Sequence, residues 1–119
     1  MAKWLVTGSA GFIGCNFVQQ SLQETNVELV VSLDKLTYAG SLASLKALEK
    51  ELRHKFIEGD ICDRPLIRKL LKEHEFDAVV HFAAESHVDR SIEGPEVFVQ
   101  TNVYGTFSLL EETRLYWQQ

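Results

Sequence analysis

Glycines stand at positions 8, 11 and 14 in the run Val6-Thr7-Gly8-Ser9-Ala10-Gly11-Phe12-Ile13-Gly14, and their type and spacing fit a chemical task. They lie between an apolar run, Trp4-Leu5-Val6, and a segment from Phe12 to Leu22 that can be helical. Lacking Cβ, glycine lets a chain turn sharply and lets its backbone approach a ligand closely. A strand, such a turn and a helix N-terminus together aim amide N–H groups and the helix dipole at one point, which suits a pyrophosphate. The spacing is G-x-x-G-x-x-G rather than G-x-G-x-x-G, so on the glycines alone a plain tight turn stays open. Asp34 follows Gly14 by twenty residues, at the end of a second apolar run, Leu29-Val30-Val31-Ser32-Leu33. A carboxylate at the tip of a second strand can accept hydrogen bonds from adenosine ribose hydroxyls. It would also repel a 2′-phosphate, by on the order of 4 kcal/mol per charge pair at about 4 Å and an effective dielectric near 20. This favours NAD over NADP, although the ammonium of Lys35 works in the opposite sense. A helix or turn cap is the other reading of Asp34.

The elements that would position these groups follow from hydrophobic periodicity. Strand-like runs recur at 3–7, 28–33, 55–58 and 78–82, with helix-like segments at 12–22, 42–52 and 65–74 between them. This is the alternation of βαβ units feeding a parallel sheet. Val79-Val80-His81-Phe82 shows little polar alternation, as expected of a strand covered on both faces. Asp63 and Pro65 read as the N-cap and first turn of a helix. The segment from Pro95 to Trp117 reads as one long amphipathic helix with Val99, Val103, Phe107 and Leu110 on a common stripe. Gly105 within it would allow close packing against another element. The charged run Glu49, Glu51, Arg53, Lys55 reads as a solvated face. The fold class is therefore α/β: a partial, doubly wound parallel sheet of Rossmann type, strand order 3-2-1-4, with flanking helices. The fourth strand would lie at an edge where a complete sheet places a fifth, so the chain reads as a truncated domain.

Composition narrows the function classes. At 119 residues the chain is a single domain, short for binding both a cofactor and a substrate. A 45% hydrophobic and 24% charged composition is that of an ordinary globular protein. The net charge of −5, with no basic stripe, argues against nucleic acid as the main partner. No apolar stretch approaches the roughly 20 residues that span a bilayer, and no signal-peptide core is present, so the expected address is the cytoplasm. Cys15 and Cys62 lack metal-ligand spacing and read as reduced packing residues; no metal site is expected.

Four further stretches carry a family resemblance: Asp34-Lys35-Leu36-Thr37-Tyr38-Ala39-Gly40, Gly59-Asp60-Ile61-Cys62-Asp63, His81-Phe82-Ala83-Ala84-Glu85-Ser86-His87-Val88-Asp89-Arg90-Ser91, and Gln100-Thr101-Asn102-Val103-Tyr104-Gly105-Thr106. With the glycines, they resemble the N-terminal part of bacterial dTDP-glucose 4,6-dehydratases, of the extended short-chain dehydrogenase/reductase family. The resemblance covers essentially the whole chain. It departs from the common pattern at Ser9, where a glycine is usual, and at Phe82, where a leucine is.

The resemblance implies a cofactor and its contacts. NAD would be held at the pyrophosphate turn by Gly8, Gly11, Phe12, Ile13 and Gly14. Asp34, Lys35, Leu36 and Thr37 would surround the adenosine ribose. Asp60 and Ile61 would flank the adenine, with a turn cap beside Gly59 as the other reading of Asp60. Phe82, Ala83 and Ala84 would lie near the nicotinamide ribose and pyrophosphate. Ser86 would approach the sugar nucleotide, dTDP-glucose, from the cofactor side, and Thr101 would complete the pocket wall. The roles of His87 and Arg90 stay open. The last helix would contribute to a homodimer. The implied reaction oxidises C4, removes water across C5 and C6, and returns the hydride to C6. Its Tyr-x-x-x-Lys pair and Thr-Asp-Glu triplet do not occur in these 119 residues: Leu42 and Ser108 stand four positions after Tyr38 and Tyr104, and Tyr116 has no fourth successor. No catalytic residue is therefore assigned, and the chain alone is expected to be inactive. A stand-alone nucleotide-binding or interaction module, or part of another nucleotide-sugar epimerase or dehydratase, are the alternatives.

Overall fold

A computed structural model describes residues 2–9, 12–35, 46, 48, 50–82, 96 and 99–118. In chain order these form β1 (Ala2–Thr7), α1 (Phe12–Ser21), β2 (Val27–Asp34), β3 (His54–Glu58), α2 (Arg64–His74) and β4 (Ala78–His81). A π-helical stretch, Gln100–Gly105, then runs into α3 (Thr106–Trp117). The four strands make one parallel sheet in the order β3-β2-β1-β4, the order expected of a Rossmann-type sheet with right-handed crossovers. Most of the expected 42–52 helix lies outside the described residues.

Side chains alternate across the sheet and fill two cores. Val6, Val30 and Val80 face α1, where they meet Val18, Leu22, Val27 and the partly buried Trp4, Phe17 and Phe82. Leu5, Val31 and Val79 face the other way, onto Ile61, Ile67, Leu70, Leu71, Phe76 and Leu109. Helices thus cover both faces, which is why β1 and β2 carry apolar residues without polar alternation. Asp63 caps α2 as its sequence predicts, accepting from the Leu66 N–H at 3.2 Å, with Pro65 in the first turn. The helix ends at Glu75 in the left-handed region (φ 53°), its N–H donating to the Leu71 carbonyl.

Two expectations need correction. The run 49–55 is not wholly a solvated face: the Arg53 guanidinium donates to the Leu22 carbonyl, to that of Glu24 at 3.0 Å and to that of Val27 at 3.1 Å. Those carbonyls span the α1–β2 turn and the first residue of β2, so Arg53 pins this corner to the start of β3, a partnership that local charge pattern cannot reveal. The final segment is also not one uniform α-helix. Its first part, Gln100–Gly105, is π-helical, whereas its apolar stripe is left uncovered, as expected of a face available to another helix: Val99, Val103, Phe107 and Leu110 are 54%, 64%, 51% and 66% exposed. Ser108, Leu109, Glu112 and Thr113 are buried instead. Gly105 does allow the close approach its sequence suggests, since a Cβ there would lie 2.6 Å from Ile61 Cδ1.

Candidate nucleotide-binding site

All four strands point the same way, so their carboxyl ends form one rim, and backbone hydrogen bonds beyond the strands tie it together. The Gly8 N–H donates to the Leu33 carbonyl (2.9 Å), the Gly59 N–H to that of Asp34 (3.0 Å) and the Phe82 N–H to that of Thr7 (2.9 Å). From β1 the chain moves outward through α1 to β2 and then to β3, and α2 carries it back across the sheet to β4 on the other side of β1. The crevice at that reversal is where open α/β sheets bind ligands.

On the α1 side of the rim, Gly8 sits at φ 70°, a conformation that side-chain-bearing residues rarely adopt. Gly14, in the first turn of α1, is packed so tightly on this turn that an added Cβ would overlap the Gly8 carbonyl oxygen. The turn therefore delivers the N-terminus of α1 directly above the end of β1. That first turn contains no acidic residue to neutralise the helix dipole. Ile13 beside it is 66% exposed, and the Ser9 hydroxyl is buried with no hydrogen-bond partner among the described residues. A helix start, whose first amides have no partner within the helix, together with closely packed glycines and an exposed apolar side chain, fits the pyrophosphate end of a dinucleotide.

On the β3 side, Asp34 ends β2 in register with Glu58, and Lys35 follows it. The Lys35 ammonium lies 3.3 Å from Asp60 Oδ2. Asp60 Oδ1 accepts from the Cys62 N–H at 2.9 Å, so the turn-capping role open to this residue is realised. Burial raises the Asp60 carboxyl pKa, but the Cys62 amide and the Lys35 ammonium together outweigh it and the net shift is downward. Asp60 is thus firmly anionic. Ile61 turns its side chain into the core, 4% exposed, and anchors the loop that carries Asp60.

At the β4 edge of the crevice the structure adds a residue to which sequence assigns no partner. His81 Nδ1 lies 2.6 Å from Thr7 Oγ1, and its Nε2 lies 3.0 Å from Thr106 Oγ1. The ring bridges the end of β1 to the start of α3, and burial lowers its pKa, which keeps it neutral at neutral pH. Its partners are 74 and 25 residues away in sequence, so no local pattern could have announced them. Phe82 is half-buried and packs on Phe17, ring centroids 5.4 Å apart, which lines the α1 side of the crevice.

The structure thus gathers Gly8, Ile13, Gly14, Asp34, Lys35, Asp60, Ile61 and Phe82 along the carboxyl rim, with Phe12 opening α1. Thr101 falls in the π-helical stretch that leads into α3. Gly11, Leu36, Thr37, Ala83, Ala84 and Ser86, like His87 and Arg90, lie outside the described residues.

Comparison with known proteins gives this geometry a context. Residues 5–119 match the family model described as GDP-mannose 4,6 dehydratase. The chain is 58% identical over 118 residues to the dTDP-glucose 4,6-dehydratase of Xanthomonas campestris pv. campestris, covering 99% of this chain and 33% of that protein. A crystal structure of dTDP-glucose 4,6-dehydratase from Streptomyces venezuelae with NAD bound superposes with a TM-score of 0.85. It has 48% identity over 93% of this chain and 35% of that one. The UDP-glucose 4-epimerase of Brucella ovis in complex with NAD gives a TM-score of 0.80 at 30% identity, over 100% of this chain and 34% of that one. The chain spans about a third of the length of the curated relatives it matches.

Proposed function

Because the chain belongs to the GDP-mannose 4,6-dehydratase family, we propose that it forms the NAD-binding part of a dTDP-glucose 4,6-dehydratase. The observation that carries this reading is the pairing of two features on one rim. The Gly8–Gly14 turn opens α1, and the amide of Gly8 is bonded to the residue preceding Asp34. An anion site and a carboxylate for ribose hydroxyls are therefore held at fixed separation, as an adenosine diphosphate moiety requires.

Bound NAD would supply a reversible hydride acceptor. The chain's own residues bind and orient it. Amides at the start of α1 would face the pyrophosphate, Asp34 would accept from the ribose hydroxyls, and Asp60 would accept from the adenine amine. The neutral His81 fixes the β4 wall of the crevice through Thr7 and Thr106. Ser86 and Thr101 would meet the sugar nucleotide and close the pocket. The 119 residues contain neither a Tyr-x-x-x-Lys pair nor a Thr-Asp-Glu triplet, so the chain by itself binds cofactor without dehydrating dTDP-glucose. Its outward apolar stripe supports a homodimer formed through the last helix.

Calorimetric titration of the chain with NAD, and with NADP in parallel, tests the reading. Saturable binding that prefers NAD is the expected result. A folded sample that gives no heat with either nucleotide would overturn it.

A further inference from the structure

We propose that Asp60 is a specificity-determining residue for the cofactor: by engaging Lys35 it denies the 2′-phosphate of NADP the cation that stands next to Asp34. This deepens the NAD-binding reading and rests on it. Asp34 alone is an ambiguous reader of the ribose, because the adjacent ammonium could turn toward a 2′-phosphate and offset the carboxylate's repulsion. In the structure that ammonium points elsewhere, with Lys35 Nζ 3.3 Å from Asp60 Oδ2.

The acid is the fixed member of the pair. Asp60 Oδ1 accepts from the Cys62 N–H at 2.9 Å, and its carbonyl accepts from the Asp63 N–H at 2.9 Å. The next residue, Ile61, is anchored in the core beneath Gly105. Lys35, with a long flexible stem and 53% side-chain exposure, is the member that must come to its partner. The Gly59 N–H to Asp34 carbonyl bond keeps the two strand ends side by side, so the pairing geometry persists. The tips of β2 and β3 then present Asp34, Glu58 and Asp60 against Lys35. A ribose hydroxyl is neutral to that balance; a 2′-phosphate is repelled by it.

The test is a double-mutant cycle on the 119-residue chain, reading NAD and NADP affinities by calorimetry for the unsubstituted protein, Asp60→Asn, Lys35→Met and the double variant. Asn keeps the oxygen that accepts from Cys62 but releases Lys35. Loss of the adenine contact would weaken both nucleotides alike, so the NADP-to-NAD affinity ratio isolates the effect on the 2′ position. Asp60→Asn is expected to raise that ratio on the order of tenfold. Adding Lys35→Met should return it to near its starting value, and Lys35→Met alone should move it less than about twofold. A ratio that Asp60→Asn leaves unchanged, or a gain that survives Lys35→Met, overturns the proposal. Failure of the underlying reading looks different: neither nucleotide then binds the unsubstituted chain, and both conclusions fall together.

Discussion

His54, His74 and His81 each have a pKa pushed down chiefly by burial, and this gives the chain an acid-sensitive stability. Since each folded pKa lies below the unfolded value of about 6.5, the unfolded chain takes up protons first as pH falls. Their contribution is therefore complete above pH about 6.5 and is lost as pH falls through the folded values. Urea midpoints should be flat above pH 7 and decline below about 6.5, and His81→Gln should reduce that decline. A midpoint constant down to pH 5 would contradict this. Asp60 and Glu112, whose pKa values are also depressed, add a further loss only below the usual carboxylate range, about pH 4. Gly14 supports a second prediction at this scale. Gly14→Ala places a methyl group against the Gly8 carbonyl oxygen, backbone that cannot swing aside, and should cost about 2 kcal/mol while abolishing dinucleotide binding. Denaturation and titration of the same variant would check both; unimpaired binding would detach the glycine turn from the site.

Glu112 governs how one element sits on the next. Its carboxylate is 2% exposed and accepts from Arg64 Nε at 2.7 Å and Arg68 Nε at 2.9 Å, both on α2. With Leu109 beside it, this ion cluster docks α3 through a largely polar face. Glu112→Ala leaves two guanidinium groups facing an empty site and should destabilise by about 2 kcal/mol, measurable by urea denaturation. A loss within 0.5 kcal/mol, about the size of an ordinary surface change, would show that packing alone holds the helix. Glu75→Gly acts in the opposite direction. It relieves a left-handed cap at an exposed position and should raise stability by about 0.5–1 kcal/mol, with an unchanged or lower midpoint as the contrary result. These elements also show what sequence can convey. The Asp63 cap follows from a local pattern of a few residues, Asp34 from its spacing after the glycines, strand order from the alternation of βαβ units, and the place of Asp60 from the family resemblance. The partners of Arg53, His81 and Glu112 are distant in sequence and polar, and no periodicity encodes them. The stripe Val99, Val103, Phe107 and Leu110 was legible as a stripe, but periodicity does not say which side of a helix meets its own sheet.

Over the whole molecule that stripe becomes a question of assembly. Among the described residues, Val99, Val103, Tyr104, Phe107, Leu110, Leu115 and Trp117 are large apolar side chains left exposed along this one segment. Phe107 and Leu110 are three residues apart on α3, and Trp117, 54% exposed, lies seven beyond Leu110 on the same side. Tyr104 packs on Phe107 at 6.3 Å between ring centroids, and the Arg64 guanidinium lies 5.8 Å over the Phe107 ring. Aromatic anchors flanked by arginine on an otherwise acidic chain are the composition of interface centres rather than of solvated surface. A second copy would match this stripe with its own, as a two-fold axis requires. The chain should therefore show a mass that rises with concentration in sedimentation equilibrium. Phe107→Glu or Leu110→Glu should weaken that association by about tenfold or more, since each buries a charge against its symmetry mate. Because both side chains are more than half exposed in the single chain, the urea midpoint measured at low concentration should barely move. A constant monomer mass across the concentration range would reject the homodimer, and an equal fall in midpoint would assign the two residues to the monomer's own packing.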